Sequence, residues 1–480
     1  MNPETGPAAS ATAGEDHYDL IVIGSGQCGN PLASAFFAAG KSVAVVERDA
    51  VGGTCVNYGC TPTKTMVASA EVAAMARRAD EFGIRVGEVA VDLRAVVERK
   101  RGIVAASRKS SEKKYAHGIK LFRGTGSFTA PKRIHVQLNE GGERDLTADT
   151  IVIDTGLSPA PPKIAGIDIV PHLDNVSIME LEELPRHLLV LGGGYVGLEF
   201  AQMFRRFGSE VTIVQRGSQL LDHEDSDAAD EIANILREDG INILLDTAAT
   251  EVSVYDGQIR LVVAGDQRAV AGNQKTQTFQ GTHLLVATGR TPNTAELNLA
   301  TAGVDVDEHG YIPVNEKLET SAPGVFAVGD VTGGPAFTHI SYDDFRILRT
   351  NLLEGGDRVK TGRPLPYCVF IDPQFARIGM SENAAKEAGR NYKLARAKMS
   401  SVARAFETGQ TRGFMKALVD PDTNQILGAA IVGADAGELM SMIEIAMMGK
   451  LPYTDLEDAI FAHPTFAESL NILFAGLESK

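Results

Sequence analysis

The chain has 480 residues, four of them cysteine, and a formal charge of −16. That length suits three or so domains with large cores, and the acidity argues against nucleic acid or an anionic membrane as the main partner. The few cysteines form no repeating framework, and no apolar run approaches the roughly 20 residues of a membrane span, so a soluble cytoplasmic protein is expected.

Residues 1–16 are small and polar, without a basic start or an apolar core, and read as a disordered tail. The run Tyr18-Asp19-Leu20-Ile21-Val22-Ile23 reads as a buried parallel strand. It leads into Gly24-Ser25-Gly26-Gln27-Cys28-Gly29, then a helical pattern through Phe37, and a second strand Val43-Ala44-Val45-Val46 ending at Glu47. This is the strand, glycine turn, helix, strand and acid order of a dinucleotide fold. Gly24 and Gly26 let the backbone approach a pyrophosphate, Gly29 lets helix and strand pack closely, and Glu47 is placed for a ribose hydroxyl. Cys28 reads as a packing residue.

Next comes Gly52-Gly53-Thr54-Cys55-Val56-Asn57-Tyr58-Gly59-Cys60-Thr61-Pro62-Thr63-Lys64. Pro62 fits the first turn of a helix, which puts Cys60 at the helix start, where unpaired N–H groups and the macrodipole favour a thiolate. Cys55 and Cys60 are close enough in sequence for a reducible disulfide and read as a redox-active pair. Two buried thiols, or half of a metal site, are the plainer alternatives, and no second cysteine pair is present to complete a zinc cluster. A helix is expected over 61–78 and another over about 93–116. The basic run from Arg99-Lys100-Arg101 to Lys113-Lys114 reads as a solvated face. Strand-like segments 120–123, 133–138 and 150–153 follow, then a linker at Pro159, Pro161 and Pro162.

A second nucleotide unit begins at Leu188-Leu189-Val190-Leu191, continues as Gly192-Gly193-Gly194-Tyr195-Val196-Gly197, a helix to Phe207, and the strand Val211-Thr212-Ile213-Val214. Gln215 stands 23 residues after Gly192, the offset that separates Glu47 from Gly24, and Arg216 follows. A neutral residue beside an arginine suits the 2′-phosphate of NADPH, with NADH as the alternative. The acidic run Asp222 to Asp227 opens a helix and reads as solvated in preference to metal-binding. Strand-like Leu284-Leu285-Val286 and Gly289 echo the stretch ending at Thr155-Gly156. A buried strand then ends in Gly329-Asp330, whose carboxylate suits a sugar-like hydroxyl chain. From about Asp357 the character changes to mixed strands and helices, with Cys368 read as structural. His463 and Glu468, five residues apart, are a candidate acid–base pair.

In this order the motifs resemble the FAD-dependent pyridine nucleotide–disulfide oxidoreductases, from Tyr18 to about Glu468, with Gly-Gly-Thr-Cys-x4-Cys-x-Pro-x-Lys as the specific signature. The stretches 335–346, Thr61-Pro62-Thr63-Lys64 and 411–416 resemble most the mercuric-reductase-like, reactive-chlorine-resistance branch, which includes a copper reductase. The resemblance implies an α/β fold with two Rossmann-like domains and a C-terminal α+β dimerisation domain: 17–158 with 286–356 for FAD, 159–285 for NAD(P), and 357–480 for dimerisation. It implies FAD contacts at Gly24, Gly26, Gly29, Glu47, Gly53, Thr54, Lys64, Thr155, Gly156 and Asp330. For NAD(P) it implies Gly192, Gly194, Tyr195 (as an aromatic gate), Gly197, Glu199, Gln215, Arg216 and Gly289. Cys60 would face the flavin and Cys55 would be the interchange thiol. Lys64 and Glu199 would form an ion pair near the flavin, and His463 with Glu468 would act on the other subunit's site in a homodimer. No structural metal is expected, although Cys55 and Cys60 could hold a soft ion in passing. The expected acceptor is Hg(II), Cu(II) or a small disulfide. Activity like that of dihydrolipoyl dehydrogenase or glutathione reductase, or an NAD(P)H oxidase or diaphorase, is the alternative. The chain ends Phe474-Ala475-Gly476-Leu477-Glu478-Ser479-Lys480 without a vicinal cysteine pair, so the acceptor is expected to come to the Cys55–Cys60 loop itself.

Overall fold

A computed structural model describes residues 16–160, 162–265 and 276–477. The expected tail up to residue 15 and Pro161 of the expected linker lie outside them. Asp16, the last residue of the expected tail, belongs to a strand. The chain divides into two compact units, one built from the chain up to Cys55, Ser107–Ser158 and Thr291–Thr361, the other from Val56–Ala106, Pro159–Arg290 and the chain from Gly362 onward.

In the first unit the strand Asp16–Ile23 pairs in parallel with Val43–Glu47 on one side and with Glu143–Ile153 on the other. Lys120–Ala130 extends the sheet in parallel from Val43–Glu47, Arg133–Leu138 returns antiparallel, and Val325–Ala327 lies parallel on Glu143–Ile153. The central strands are apolar throughout because both faces are covered. Leu20, Val22, Val43 and Val45 pack with Leu32, Ala33 and Phe36 of the helix Gly29–Ala38, while Ile21, Ile23, Val46 and Ile151 pack with Phe128 and Ile134. Cys28 is completely buried among the former set, and burial pushes its thiol pKa well above the usual range.

The second unit carries a parallel sheet in the order His283–Val286, His187–Leu191, Glu210–Val214, Asn242–Leu244. The helix Tyr195–Phe207 packs Leu198, Phe200 and Phe204 in one core with Met66 and Ala70 of the helix Cys60–Arg77, and with Leu93 and Val97 of the helix Leu93–Glu112. An antiparallel trio, Thr247–Tyr255, Gln258–Gly265 and Thr276–Gly281, follows the nucleotide fold. The C-terminal part is a five-stranded antiparallel sheet in the order Tyr367–Val369, Gln374–Gly379, Ile426–Gly433, Phe414–Val419, Lys393–Lys398. The helices Ala436–Met448 and Ser469–Ala475 share its core.

Packing alters parts of the two runs expected to be solvated: in the basic run Arg99, Arg101, Lys113 and Lys114 are exposed as expected and Lys100 is not. Lys100 is 3 % exposed and paired with Glu180, which also takes Arg101, while Arg99 donates to the Thr65 carbonyl at 2.9 Å. In the acidic run Glu224 and Asp225 are buried. Glu224 meets Tyr367 and Arg377, and the buried Lys416 ammonium bonds Asp225 at 2.7 Å, Asp227 at 2.7 Å and Glu382 at 3.0 Å. These three carboxylates lie close enough together for a metal ion, but the ammonium already supplies the counter-charge. Charge counting along the sequence could not find this, because the lysine comes from a strand nearly 200 residues away. Among the described residues no helix is long and apolar enough to cross a membrane.

Candidate active site

The strand Asp16–Ile23 delivers Gly24 to the sheet end, where its N–H donates to the Val46 carbonyl at 2.8 Å. Its φ is +96°, and a Cβ would stand 2.2 Å from the Asp154 carbonyl oxygen, so only glycine fits. At Gly26 and Gly29 a Cβ would stand 2.8 Å from the Asp154 carboxylate. Gly53, at φ +63°, would drive a Cβ to 2.8 Å from the Gly26 Cα. Glu47 is buried at the end of Val43–Glu47. Its Oε2 accepts from the Ser25 N–H at 2.9 Å and the Ser25 hydroxyl at 2.6 Å, and its Oε1 accepts from the Asp49 N–H. A carboxylate has about four lone-pair sites, which leaves capacity for a ribose hydroxyl.

Asp154 was not singled out by the sequence. The parallel register of Glu143–Ile153 on Asp16–Ile23 brings it beneath the turn, where it accepts from the Gly29 N–H at 2.7 Å. Burial pushes its carboxyl up to about 8. The Gly29 N–H opposes the rise, and Asp330, Asp344 and Glu47 add to it. Thr155 lies next to it, and its hydroxyl is buried with no hydrogen-bond partner among the described residues. A glycine turn that only hydrogen fits, beside an unsatisfied buried hydroxyl, fits a flavin dinucleotide, which Gly24, Gly26, Gly29, Glu47 and Thr155 would hold when it is bound. Gly156 follows at φ +63°, and Asp330 sits half-buried in the short turn Gly329–Thr332.

In the second unit Gly192, at φ +105°, donates to the Val214 carbonyl at 2.9 Å, and a Cβ there would stand 2.4 Å from the Ala287 oxygen. A Cβ at Gly197 would meet the Gly192 oxygen at 2.3 Å. Gly193 is a third constrained glycine that the motif spacing does not require, since its Cβ would meet Leu220 at 2.7 Å and Gln215 at 3.2 Å. Gly194 and Gly289 are exposed and face open space. Tyr195 is half-buried as the first residue of Tyr195–Phe207. Gln215 is buried and accepts from the Gly193 N–H at 3.0 Å, and Arg216 is exposed.

Cys55 and Thr54 lie in the short helix Gly53–Asn57, Cys55 half-buried, while Cys60 is the exposed first residue of Cys60–Arg77. The Asn175 amide holds the intervening Tyr58 carbonyl at 3.1 Å. One turn after Cys60, the Lys64 ammonium bonds Glu199 at 2.6 Å, and Glu199 is 4 % exposed. The other Glu199 oxygen accepts from the Phe370 N–H at 2.9 Å, and Lys64 lies 4.7 Å over the Phe370 ring. Phe370 is a partner that no motif announced. Cys368 lies nearby, and burial, with Glu199 adding and Lys64 opposing, pushes its thiol up to about 12. It is a neutral thiol at ordinary pH.

His463 is largely exposed, and its Nδ1 stands 2.8 Å from Glu468 Oε2 and 3.0 Å from Oε1. An ionised carboxylate has no proton to give, so Nδ1–H donates and Nε2 is left with its lone pair available to a reacting group. His339 stacks on Phe337 with ring centroids 5.4 Å apart.

The chain matches the family described as pyridine nucleotide-disulphide oxidoreductase over residues 18–344, and the dimerisation domain of that family over 365–473. It is 37 % identical over 464 residues to the probable pyridine nucleotide-disulfide oxidoreductase RclA of Escherichia coli, covering 95 % of this chain and 99 % of that one. A mercuric reductase of Staphylococcus aureus is 35 % identical over 460 residues, covering 95 % of this chain and 81 % of that one. The structure of a Cu(II) complex of the HOCl-induced flavoprotein disulfide reductase RclA from Escherichia coli is similar at a TM-score of 0.86 and 36 % identity, over 96 % of this chain and 99 % of that one.

Proposed function

The chain belongs to the pyridine nucleotide-disulphide oxidoreductases, which work with FAD and NAD(P)H, and from that membership we propose that it reduces a soft metal ion, Cu(II) or Hg(II), or a small disulfide through Cys55 and Cys60. The observation that carries the reading is the helix Cys60–Arg77. It starts on one cysteine and, one turn on, presents a lysine held by a buried glutamate.

FAD, when bound, would be held at the Gly24–Gly29 turn and would supply the two-electron chemistry between a nicotinamide and a disulfide that side chains cannot perform. The chain's own groups do the rest. At the helix start Cys60 gains from the unpaired N–H groups and the macrodipole, so the reduced pair carries its charge there. Glu199 fixes Lys64, and that ammonium favours negative charge developing beside it. Cys55 is the interchange thiol that meets the acceptor. His463, oriented by Glu468, holds or returns the thiol proton, and in a homodimer formed through the C-terminal domain this pair serves the site of the other subunit. The balance closes in two halves. NAD(P)H, a proton and the disulfide give NAD(P)⁺ and two thiols. Two thiols then return to the disulfide, either by giving one electron to each of two Cu(II) ions with release of two protons, or by exchange with a substrate disulfide to give two substrate thiols. Metal acceptors are favoured by the similarity to relatives described as a mercuric reductase and as a copper complex, and by the softness of thiolate ligands. Cytoplasmic residence suits a dithiol that must be kept reducible.

The test is a steady-state screen of flavin-loaded protein with each nicotinamide against glutathione disulfide, lipoamide, Cu(II), Hg(II) and oxygen. Cys55→Ala should lower metal or disulfide reduction at least about a hundredfold while dye reduction survives. Undiminished reduction by that variant would refute the electron path.

A further inference from the structure

Read along the sequence, Gln215-Arg216 suits a 2′-phosphate; the folded loop presents a different surface. Gln215 is not available to a ribose as an independent group. Its Oε1 is taken by the Gly193 N–H at 3.0 Å, and its Nε2 donates to Asp222 Oδ1 at 2.7 Å and to the Gln219 carbonyl at 3.3 Å. Asp222 is thereby drawn back against the start of its own loop, with Oδ1 only 2.9 Å from where a Gly217 Cβ would be. The loop is pinned at both ends. Leu221 N–H donates to the Gly193 carbonyl at 3.0 Å, and Asp246 N–H donates to the Gly217 carbonyl at 2.9 Å. Gln219 also donates to the Glu224 carbonyl at 2.9 Å. Asp222 is exposed, and among the described residues only its Oδ1 is engaged, while Arg216 is exposed and makes no hydrogen bond or ion pair.

In the first turn the acid at the strand end accepts directly from the turn's own N–H, Glu47 from Ser25. In the second, an amide occupies that place and passes the interaction on to a carboxylate one side chain further out. We propose that Asp222 is the specificity-determining residue of the nicotinamide nucleotide site: held by Gln215, it accepts from the adenosine ribose 2′-hydroxyl and repels a 2′-phosphate, so the site selects NADH. This rests on reading the Gly192–Gly197 turn as that site. A 2′-phosphate brings up to two negative charges against a fixed carboxylate, whereas a 2′-hydroxyl offers it a donor. Arg216 serves both nucleotides alike, by attraction to the pyrophosphate or by lying over the adenine.

Titration calorimetry on full-length, flavin-loaded protein with NAD⁺ and with NADP⁺ tests this without turnover. Wild type should bind NAD⁺ the tighter by roughly fivefold, the scale of one exposed charge contact. Asp222→Asn should bring the ratio close to unity by strengthening NADP⁺ and weakening NAD⁺, and Asp222→Glu should restore the preference. Arg216→Ala should weaken both by the same factor. A wild-type preference for NADP⁺, or an Asp222→Asn effect equal on both nucleotides, overturns the assignment and leaves the family reading standing. Binding of neither nucleotide overturns the nicotinamide reading of the turn itself. Anaerobic flavin reduction by NADH and by NADPH should follow the same ratio.

Discussion

At Gly24 and at Gly192 the backbone makes the same turn, with φ of +96° and +105°, an N–H given to the neighbouring strand, and a Cβ space closed by a carbonyl oxygen at 2.2 and 2.4 Å. What surrounds the two turns differs. Beneath the first lies Asp154, protonated by burial up to about pH 8, with Glu47 accepting from the turn and Asp330 and Asp344 close enough to raise it further. The second has Ala287 in the corresponding place, a neutral Gln215 on the turn, and its charges, Asp222 and Arg216, at the surface. A deeply embedded polar cradle suits a resident dinucleotide, and a turn whose charges are exposed suits one that exchanges at each cycle. The glycine pattern sets the backbone; the groups that arrive from elsewhere set the charge around it.

The comparison breaks first at its glycines. Gly24→Ala and Gly192→Ala should each cost at least about 3 kcal/mol locally, since both combine a positive φ with a closed Cβ space. The consequences should separate: Gly24→Ala protein should purify without its yellow flavin absorbance, while Gly192→Ala protein keeps the flavin and loses reduction by either nicotinamide. Loss of flavin from both would mean that the turns are not independent.

A second test concerns where the acids of the two nucleotide folds are used. Lys416 is buried against Asp225, Asp227 and Glu382, so Lys416→Met should cost about 3–5 kcal/mol by leaving their charge uncompensated. Burial works against the Asp225 carboxylate, but Lys416 and the Asn383 and Glu382 N–H groups hold its pKa below the usual range. Its contribution is therefore present above the unfolded pKa and is lost as pH falls through the folded one. A urea midpoint that is unchanged in Lys416→Met at pH 7 would show the cluster to be neutral in effect.

Asp154 runs the other way. With a folded pKa of about 8 against an unfolded value near 3.9, the folded chain holds an extra proton in that window, and stability falls as pH rises through it. Asp154→Asn should remove this dependence and stabilise the flavin-loaded protein at pH 8 by on the order of 2 kcal/mol, with the gap closing toward pH 5. Thermal melts at the two pH values decide it, and a less stable variant at pH 8 would contradict a neutral Asp154. The smallest effect is expected at Gly194, whose Cβ would meet open space at φ −80°. Gly194 caps the helix Tyr195–Phe207, so Gly194→Ala should cost no more than about 1 kcal/mol, and a larger loss would place an unseen constraint at the second turn.

Much of this molecule could be read along the chain. The apolar runs at 18–23, 43–46 and 188–191 are strands because both their faces are covered, and such runs carry their own signature. The helices expected over 61–78 and about 93–116 form as Cys60–Arg77 and Leu93–Glu112. The antiparallel trio from Thr247 was not read, because its strands are largely half-exposed and alternate too weakly to stand out. Lys64 and Glu199 are 135 residues apart and were paired only by the family resemblance; the fold joins them and adds Phe370. No local pattern pointed to Asp154, Gly193, Asp222 or Lys416.

The division has a physical basis. Glycine turns, helix starts and apolar periodicity are imposed by sterics and burial within a few residues, so the local sequence specifies them. A polar partner is chosen by which strands lie side by side and how a loop is pinned. Glu143–Ile153 beside Asp16–Ile23 puts Asp154 under the first turn, and the Leu221–Gly193 hydrogen bond puts Asp222 beside the second. The residue types that build the two glycine turns are written in order along the chain; the charged groups around each turn are assembled by tertiary structure.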